Sequence, residues 1–174
     1  MALLYILVAC FAANALAKKC NFGDSQIDFL DIDQFAGQWY SLYEQPELVK
    51  TRSHFKNIFQ ATDAKNTDGI IYSKAISSDG KEISYSGTVS INDDGSMDYK
   101  TKDLNDYSGP YKVVDTDYDC YAIIRGCPKK GPAKTLTWVQ FRSTRPTAEC
   151  ERAALEGMKS VGIDSTKLVR QTYK

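Results

Sequence analysis

Residues 81–91 are Lys-Glu-Ile-Ser-Tyr-Ser-Gly-Thr-Val-Ser-Ile, a stretch in which apolar and small polar side chains alternate. Ile83, Tyr85, Val89 and Ile91 fall on one face, and serine and threonine side chains fall on the other. A period of two predicts a β-strand that packs one face on a core and exposes the other to water. This strand indicates the fold class because similar short segments lie on both sides of it.

Asp-Gly turns follow one another at 68–69, 79–80 and 94–95, each before a segment of strand-like composition. Short strands joined by turns of this kind are typical of antiparallel hairpins. Eight such strands in series predict an all-β fold, either an eight-stranded up-and-down barrel or a two-sheet sandwich. The eight predicted strands are 37–45, 55–61, 70–76, 81–91, 96–101, 110–115, 120–127 and 135–143.

One segment after the last of these strands has a different period. Residues 147–162 place Cys150, Ala154 and Met158 on one side at helical spacing, and charged residues on the other. A proline precedes the segment and a glycine ends it, as is common at helix ends. We therefore expect one C-terminal α-helix, followed by a short strand at 167–172 that returns to the edge of the sheet.

Length and charge exclude several classes of function. The chain has 174 residues, which fits one domain. Its 22 basic residues equal its 22 acidic residues, and no dense run of lysine or arginine occurs. Nucleic-acid binding needs a basic surface, so we expect no nucleic-acid partner.

The N-terminus predicts the compartment. Residues 2–15 are apolar, and Ala15-Leu16-Ala17 matches the small-x-small pattern of a signal-peptidase site. The apolar stretch is too short to span a bilayer. We expect residues 1–17 to be a cleaved secretory signal, residues 18–174 to be one extracellular domain, and no membrane span in that domain.

Four cysteines remain after such a cleavage, namely Cys20, Cys120, Cys127 and Cys150. Four cysteines in a secreted chain predict two disulfides, and their spacing leaves all three pairings open. A metal site is not expected, because no C-x-x-C pair occurs and the single histidine, His54, is far from the cysteines in sequence.

Three short motifs, in order along the chain, resemble the signature motifs of the lipocalins. They are Gly37 and Trp39 in the first strand, Thr116-Asp117-Tyr118 between the sixth and seventh strands, and Arg145 after the eighth strand. The resemblance covers the whole mature chain, and residues 117–124 are most similar to arthropod lipocalins. These include the insecticyanin and bilin-binding, crustacyanin, apolipoprotein-D-like and cockroach-allergen groups.

The resemblance implies an eight-stranded barrel with the C-terminal helix packed outside it. It also implies that Arg145 covers the ring of Trp39 at one end of the barrel, a cation–π contact; Arg142 is the alternative. These motif residues are expected to be structural and not to bind the ligand.

The resemblance also implies the disulfide pairing. The family's bridge from the N-terminal leader to the seventh strand corresponds to Cys20–Cys127. The family's second common bridge reaches the C-terminal tail, where this chain has no cysteine. The second bridge here is therefore expected to be Cys120–Cys150, between strand and helix.

An eight-stranded barrel encloses either packed side chains or one small ligand. Alternation along the predicted strands gives a set of inward-facing residues that is mainly apolar and aromatic, as in small-molecule sites. This expected ligand cavity consists of Tyr43, Phe59, Ile71, Ser73, Ile83, Tyr85, Val89, Met97, Tyr99, Ile124, Trp138 and Gln140.

The expected function is that of a secreted carrier for a small lipophilic molecule, with no enzymatic activity and no required cofactor. The resemblance favours a bilin or a carotenoid as the bound ligand, followed by a fatty acid or a retinoid. Catalysis or haem binding would require His54, which lies in a polar segment before the second predicted strand. The alternative function is binding of a protein partner through surface loops, and a homodimer also remains open.

Overall fold

A computed structural model describes residues 20–62, 67–102, 107–129 and 135–173. The predicted signal peptide, residues 1–17, lies outside these ranges. Among the described residues the main elements are nine strands and one long helix. The strands are β1 (Gly37–Glu44), β2 (Arg52–Ala61), β3 (Asp68–Ser77), β4 (Glu82–Ile91), β5 (Ser96–Thr101), β6 (Gly109–Thr116), β7 (Tyr121–Gly126), β8 (Leu136–Phe141) and β9 (Val169–Arg170).

The first eight strands form a closed antiparallel barrel. Each strand from β2 to β7 pairs with the next strand along the chain, and β1 pairs with both β8 and β2. Closure removes the free edges of the sheet, which would otherwise expose unpaired backbone groups. The predicted up-and-down barrel is thus confirmed and the sandwich is excluded. Short helices α1 (Ile32–Phe35) and α2 (Pro46–Val49) flank β1.

Three strands of the barrel, β1, β2 and β6, contain bulges that change which side chains face inward. In β1 the pairing with β8 shifts between Ser41 and Tyr43. In β2 the pairing with β3 shifts between Ser53 and Lys56, around His54, whose φ is 55°. In β6 the pairing with β7 shifts between Val113 and Asp115. An extra residue at a bulge reverses the facing of the residues beyond it, because the side-chain period of a strand is two.

The long helix α3 (Ala148–Ser160) packs outside the barrel wall, as predicted. The Thr147 hydroxyl caps its N-terminus by accepting from the Cys150 N–H at 3.2 Å. Met158 and Ala154 are buried against the outward faces of β7 and β8. A Cβ atom at Gly157 would lie only 2.3 Å from an Asp115 carboxylate oxygen, so glycine permits the close approach of helix and wall.

Both implied disulfides are present. Cys20 is bonded to Cys127, and Cys120 is bonded to Cys150, with 5.8 Å between the Cα atoms in each pair. The first bridge fastens the N-terminal segment to the barrel, and the second fastens α3 to the start of β7. Each bridge crosslinks segments distant in sequence and so disfavours the unfolded chain.

The C-terminal tail completes the barrel wall. Strand β1 leaves β2 after Tyr40 and pairs further along with β9, through Tyr43 with Arg170 and Glu44 with Val169. The next tail residue, Gln171, is buried and donates its backbone N–H to Leu42 at 2.7 Å. The tail therefore occupies the opening between two diverging strands.

Candidate ligand-binding site

The barrel encloses a cavity of about 80 Å³. Ligand pockets for drug-sized molecules are about 300–1,000 Å³, so the free space here suits a small molecule. The lining is mainly aromatic and aliphatic. It consists of Phe35, Trp39, Arg52, Phe55, Asn57, Phe59, Ile71, Ser73, Tyr85, Val89, Met97, Tyr99, Tyr107, Tyr111, Ile124, Trp138 and Gln140.

One end of the cavity is closed by a floor of Phe35, Trp39 and Phe59, with Arg142 over it. The Trp39 ring stacks on Phe35 with centroids 5.0 Å apart, and its indole N–H donates to the Phe35 carbonyl at 2.8 Å. Phe59 meets Phe35 edge to face. The Trp39 side chain is fully buried, so it is part of the core of the protein.

The arginine over Trp39 is Arg142, which corrects the expectation for Arg145. The Arg142 guanidinium carbon lies 3.7 Å from the centre of the Trp39 ring, whereas Arg145 is exposed. Strand β8 ends at Phe141, so Arg142 immediately after it can reach back over the floor. Arg142 also donates to the carbonyls of Gln34, Ala36 and Tyr118 at 2.7–2.9 Å.

The Thr116-Asp117-Tyr118 motif shapes the turn between β6 and β7. The Asp117 carboxylate accepts from the backbone N–H groups of Cys120 and Tyr121, at 2.8 and 3.0 Å. Thr116 donates its hydroxyl to the Tyr121 carbonyl, and the Tyr118 hydroxyl accepts from the Asp31 N–H. These contacts hold the turn and join it to the N-terminal segment, and none of the three residues lines the cavity.

A polar cluster consisting of the ion pair Glu44–Arg52 and the hydroxyl of Tyr85 lies inside the barrel away from the floor. Arg52 Nη2 lies 3.1 Å from Glu44 Oε1, and both side chains are almost completely buried. Arg52 Nη1 donates to the Tyr85 hydroxyl oxygen at 3.1 Å. The guanidinium carbon lies 3.6 Å from the centre of the Phe55 ring, a second cation–π contact.

The protonation states of this group follow from its surroundings. Burial tends to lower the pKa of Arg52, but the Glu44 carboxylate and two tyrosine hydroxyls outweigh it, so the net pKa is raised. Burial raises the pKa of Tyr85 and of Tyr111, because the phenolate is poorly solvated there. Arg52 is therefore a cation at neutral pH, and both tyrosines are neutral.

Most residues of the expected cavity set are found in the lining. They are Phe59, Ile71, Ser73, Tyr85, Val89, Met97, Tyr99, Ile124, Trp138 and Gln140. Ile83 does not line the cavity; it packs beside Leu48, Ala75 and Leu136 in a neighbouring cluster. Tyr43 lies on the outer surface, where its hydroxyl donates to Glu151 of α3. The β1 bulge turns Tyr43 outward and Glu44 inward, opposite to the simple alternation.

The lining residues absent from that set have different explanations. Phe55, Asn57 and Tyr111 continue the alternation of Phe59 in β2 and Val113 in β6, so the pattern could have identified them. Arg52 precedes the predicted start of the second strand, and the bulge after it breaks the period. A charged side chain before a strand gives no sign of burial.

His54 lies within β2 and not before it, since this strand begins at Arg52. Its ring contacts Tyr173 edge to face, and Nδ1 lies 2.9 Å from the Ser53 hydroxyl oxygen. His54 is not part of the cavity lining. The described part of the chain holds no cluster of histidine, cysteine and acidic residues suited to a metal ion. No helix among the described residues is long and apolar enough to cross a membrane.

The closed barrel, the outer helix and the apolar cavity define a class of small-molecule-binding barrels. Comparison with known families agrees with this architecture. The Lipocalin / cytosolic fatty-acid binding protein family matches residues 36–174. The chain belongs to this family.

Solved structures of two arthropod lipocalins and of an amine-binding protein have the same fold. The major allergen Per a 4 from cockroaches has a TM-score of 0.73 at 21% identity, covering 89% of this chain and 95% of its own. Insecticyanin from the tobacco hornworm Manduca sexta has a TM-score of 0.72 at 20% identity, covering 89% and 86%. A biogenic amine-binding protein has a TM-score of 0.68 at 16% identity, covering 87% and 86%. The predicted resemblance to arthropod lipocalins is confirmed.

Proposed function

We propose that the protein is a secreted carrier that holds a small, largely apolar molecule inside its barrel, and that it is not an enzyme. The observation that supports the proposal is the buried cavity lined by aromatic and aliphatic side chains from most strands of the barrel. Removing apolar ligand surface from water provides the binding free energy, at roughly 25 cal/mol per Å² before ordering costs.

Secretion is supported by the two disulfides and by the apolar N-terminal segment with its Ala15-Leu16-Ala17 site. Absence of catalysis is supported by the pairing of all four described cysteines and by the position of His54 away from the cavity. A bilin or a carotenoid, which the family resemblance favours, exceeds the free space of about 80 Å³. Compounds of one or two rings fit with less movement of side chains, so we place them first.

Two experiments test the carrier function. Organic extraction and mass spectrometry of protein purified from its native source should yield a stoichiometric lipophilic compound. Titration calorimetry should then detect binding of 2-ethylnaphthalene, retinol, a fatty acid or biliverdin to the extracted protein. If none binds more tightly than about 10 μM, which corresponds to roughly 7 kcal/mol, the carrier function is wrong. A surface that binds a protein partner would then be the better explanation.

A pair of matched variants tests the location of the ligand. Ile71→Trp should fill the cavity and abolish binding, because Ile71 lines it. Ile58→Trp makes the same change on the outer face of the barrel, where Ile58 is 41% exposed, and should leave binding unchanged. Equal binding by the two variants would contradict a site inside the barrel.

A further inference from the structure

The polar groups that line the cavity are unequal in their hydrogen bonding. The indole N–H of Trp138 and the Nε–H of Arg52 are buried and have no acceptor among the described residues. The Tyr85 oxygen already accepts from Arg52 at 3.1 Å, so its own hydroxyl proton can be turned toward a ligand. The cavity thus contains three donors available to a ligand. A buried donor without an acceptor is costly, so such groups are rare in folded proteins unless a partner binds.

The main acceptors near the cavity each already accept a hydrogen bond from a protein donor, unlike the donors above. Glu44 accepts from Arg52 with one oxygen and from the Gln171 side-chain amide, at 2.7 Å, with the other. Asn57 Oδ1 accepts from the Ser73 hydroxyl at 2.7 Å. The carboxamide of Gln140 carries both a donor and an acceptor, and so favours neither kind of ligand. A ligand that supplies an acceptor is therefore better matched than one that supplies donors.

The charges of the site are already balanced. Arg52 is the one guanidinium in the described lining, and Glu44 neutralises it at 3.1 Å. A bound carboxylate would add an uncompensated negative charge to this buried pair, and a bound ammonium would add a positive charge beside Arg52. Burial of an uncompensated charge is strongly unfavourable. An uncharged polar group avoids both costs.

The walls favour a flat ligand. Tyr111 and Trp138 have ring centroids 5.6 Å apart, and Tyr99 meets Tyr111 edge to face at 5.9 Å. Phe55 and Tyr85, which also line the cavity, are nearly parallel, with an interplanar angle of 20°. Rigid aromatic walls bind planar rings with little loss of side-chain freedom and with favourable stacking geometry.

We infer that the cavity selects an uncharged planar molecule bearing a hydrogen-bond acceptor, such as a ketone, quinone or lactone carbonyl, which accepts from Trp138, Arg52 or Tyr85. The inference rests on the proposed carrier function and specifies its ligand class. It separates this protein from a binder of amines, which would need a free acceptor or a free carboxylate inside the barrel.

Four probes with the same two-ring body test the inference. They are 2-acetonaphthone with a neutral acceptor, 2-ethylnaphthalene with none, 2-naphthoate with an anionic acceptor, and naphthalen-2-ylmethylammonium with a cationic donor. Calorimetric titration at pH 7 should find 2-acetonaphthone the tightest. It should bind about three- to tenfold more tightly than 2-ethylnaphthalene, as expected for one net hydrogen bond. Both charged probes should bind more weakly than either neutral one.

Variants assign the preference to the named donors. Trp138→Phe removes the indole N–H, Tyr85→Phe removes the hydroxyl, and Arg52→Lys removes the guanidinium Nε–H but keeps the positive charge beside Glu44. In at least one of them the affinity ratio of 2-acetonaphthone to 2-ethylnaphthalene should fall toward one. Because the ratio is taken within each variant, any change in cavity size affects both probes and largely cancels. Tyr72→Phe, at a tyrosine on the outer face that is 45% exposed, is the matched control and should keep the wild-type ratio.

Each outcome has a defined meaning. Tightest binding of the carboxylate or the ammonium, or equal binding of the two neutral probes, would overturn the inference while leaving the carrier function intact. An undiminished ratio in all three of Trp138→Phe, Tyr85→Phe and Arg52→Lys would also overturn it, because groups other than the three named donors would then provide the preference. Binding of none of the four probes, or of any larger lipophile, would instead overturn the carrier function.

Discussion

The two ends of the barrel interior each place an arginine against an aromatic ring, but the two arginines differ in their hydrogen bonds. At the floor, Arg142 lies 3.7 Å from the centre of the Trp39 ring and donates to four backbone carbonyls. Away from the floor, Arg52 lies 3.6 Å from the centre of the Phe55 ring and donates to the side chains of Glu44 and Tyr85.

The difference in hydrogen-bond partners separates an arginine that stabilises the fold, Arg142, from an arginine that faces the ligand cavity, Arg52. Backbone carbonyls accept the hydrogen bonds of Arg142, so this arginine fastens the N-terminal segment and the β6–β7 turn to the end of β8. Arg52, in contrast, is held by side chains and lines the cavity. Its Nε–H group lacks an acceptor among the described residues. The cation–π contact alone therefore does not identify the function of an arginine in this fold.

The largest expected loss of stability comes from a substitution in the floor of the cavity. Trp39→Ala removes a fully buried ring and the surface on which Arg142 rests, and should lower the free energy of unfolding by about 3–5 kcal/mol. Denaturant unfolding measures the change. A loss below about 1 kcal/mol, typical of an ordinary substitution, would show that the floor is not the centre of the core.

The buried ion pair should give the next largest effect. Glu44→Gln leaves the Arg52 charge buried without its counter-charge and should cost about 3 kcal/mol. The double variant Glu44→Leu/Arg52→Met removes both charges and should regain most of that stability, because an apolar pair avoids the desolvation cost. A double variant less stable than Glu44→Gln would contradict the view that the pair serves binding more than stability.

A smaller effect distinguishes the two arginines at the end of β8. Arg142→Ala should cost about 2 kcal/mol, since it removes a partly buried cation–π contact and its hydrogen bonds. Arg145→Ala, at an exposed side chain, should stay within about 0.5 kcal/mol of the wild type. Thermal unfolding of the pair tests the assignment directly, and the reverse order would restore Arg145 as the motif residue.

A third arginine, Arg170, forms an exposed ion pair, and loss of this pair should give the smallest effect on stability. Arg170 of β9 pairs with Glu151 of α3 at 2.7 Å, with 43% of its side chain exposed. Hydrogen bonds from Arg170 and Tyr43 hold the pKa of Glu151 below its ordinary value of 4.5. Their contribution is therefore complete above about pH 4.5 and disappears as the pH falls through the lower folded pKa.

Glu151→Gln should accordingly lower stability by only about 0.5 kcal/mol at pH 7, because solvent screens the pair. The difference from wild type should shrink as the pH of the unfolding measurement is lowered below 4.5. A difference that stays constant as the pH falls would mean that packing of the side chain, and not its charge, holds the tail.

The sequence alone predicted the barrel because most strands have an uninterrupted alternation of inward-facing and outward-facing side chains. Strand β4 has no bulge, so Tyr85 and Val89 could be placed inside from their spacing. The facing of Tyr43 and Glu44 could not be predicted in this way. It depends on a bulge that is set by pairing with β8, about a hundred residues later in the chain.

The buried ion pair was the second feature that the sequence could not predict. Glu44 and Arg52 are each residues that usually lie at the surface, and only the fold shows that they neutralise each other inside the barrel. The choice between Arg142 and Arg145 also needed structure, because both follow β8 closely enough to match the motif. Ten of the twelve expected cavity residues do line the cavity. Arg52, a polar lining residue that bears on the chemistry of the ligand, was not indicated by any sequence pattern.

The insertion of the tail between β1 and β2 has a consequence for the order of folding. Gln171 donates to Glu44, 127 residues earlier in the chain, and so provides the last hydrogen bond of the buried pair. During synthesis all eight barrel strands emerge before this residue does. A nascent barrel would thus have a gap in its wall and an incompletely hydrogen-bonded carboxylate, both open to water. Contacts this distant in sequence form slowly, so docking of the tail would be the step that seals the interior.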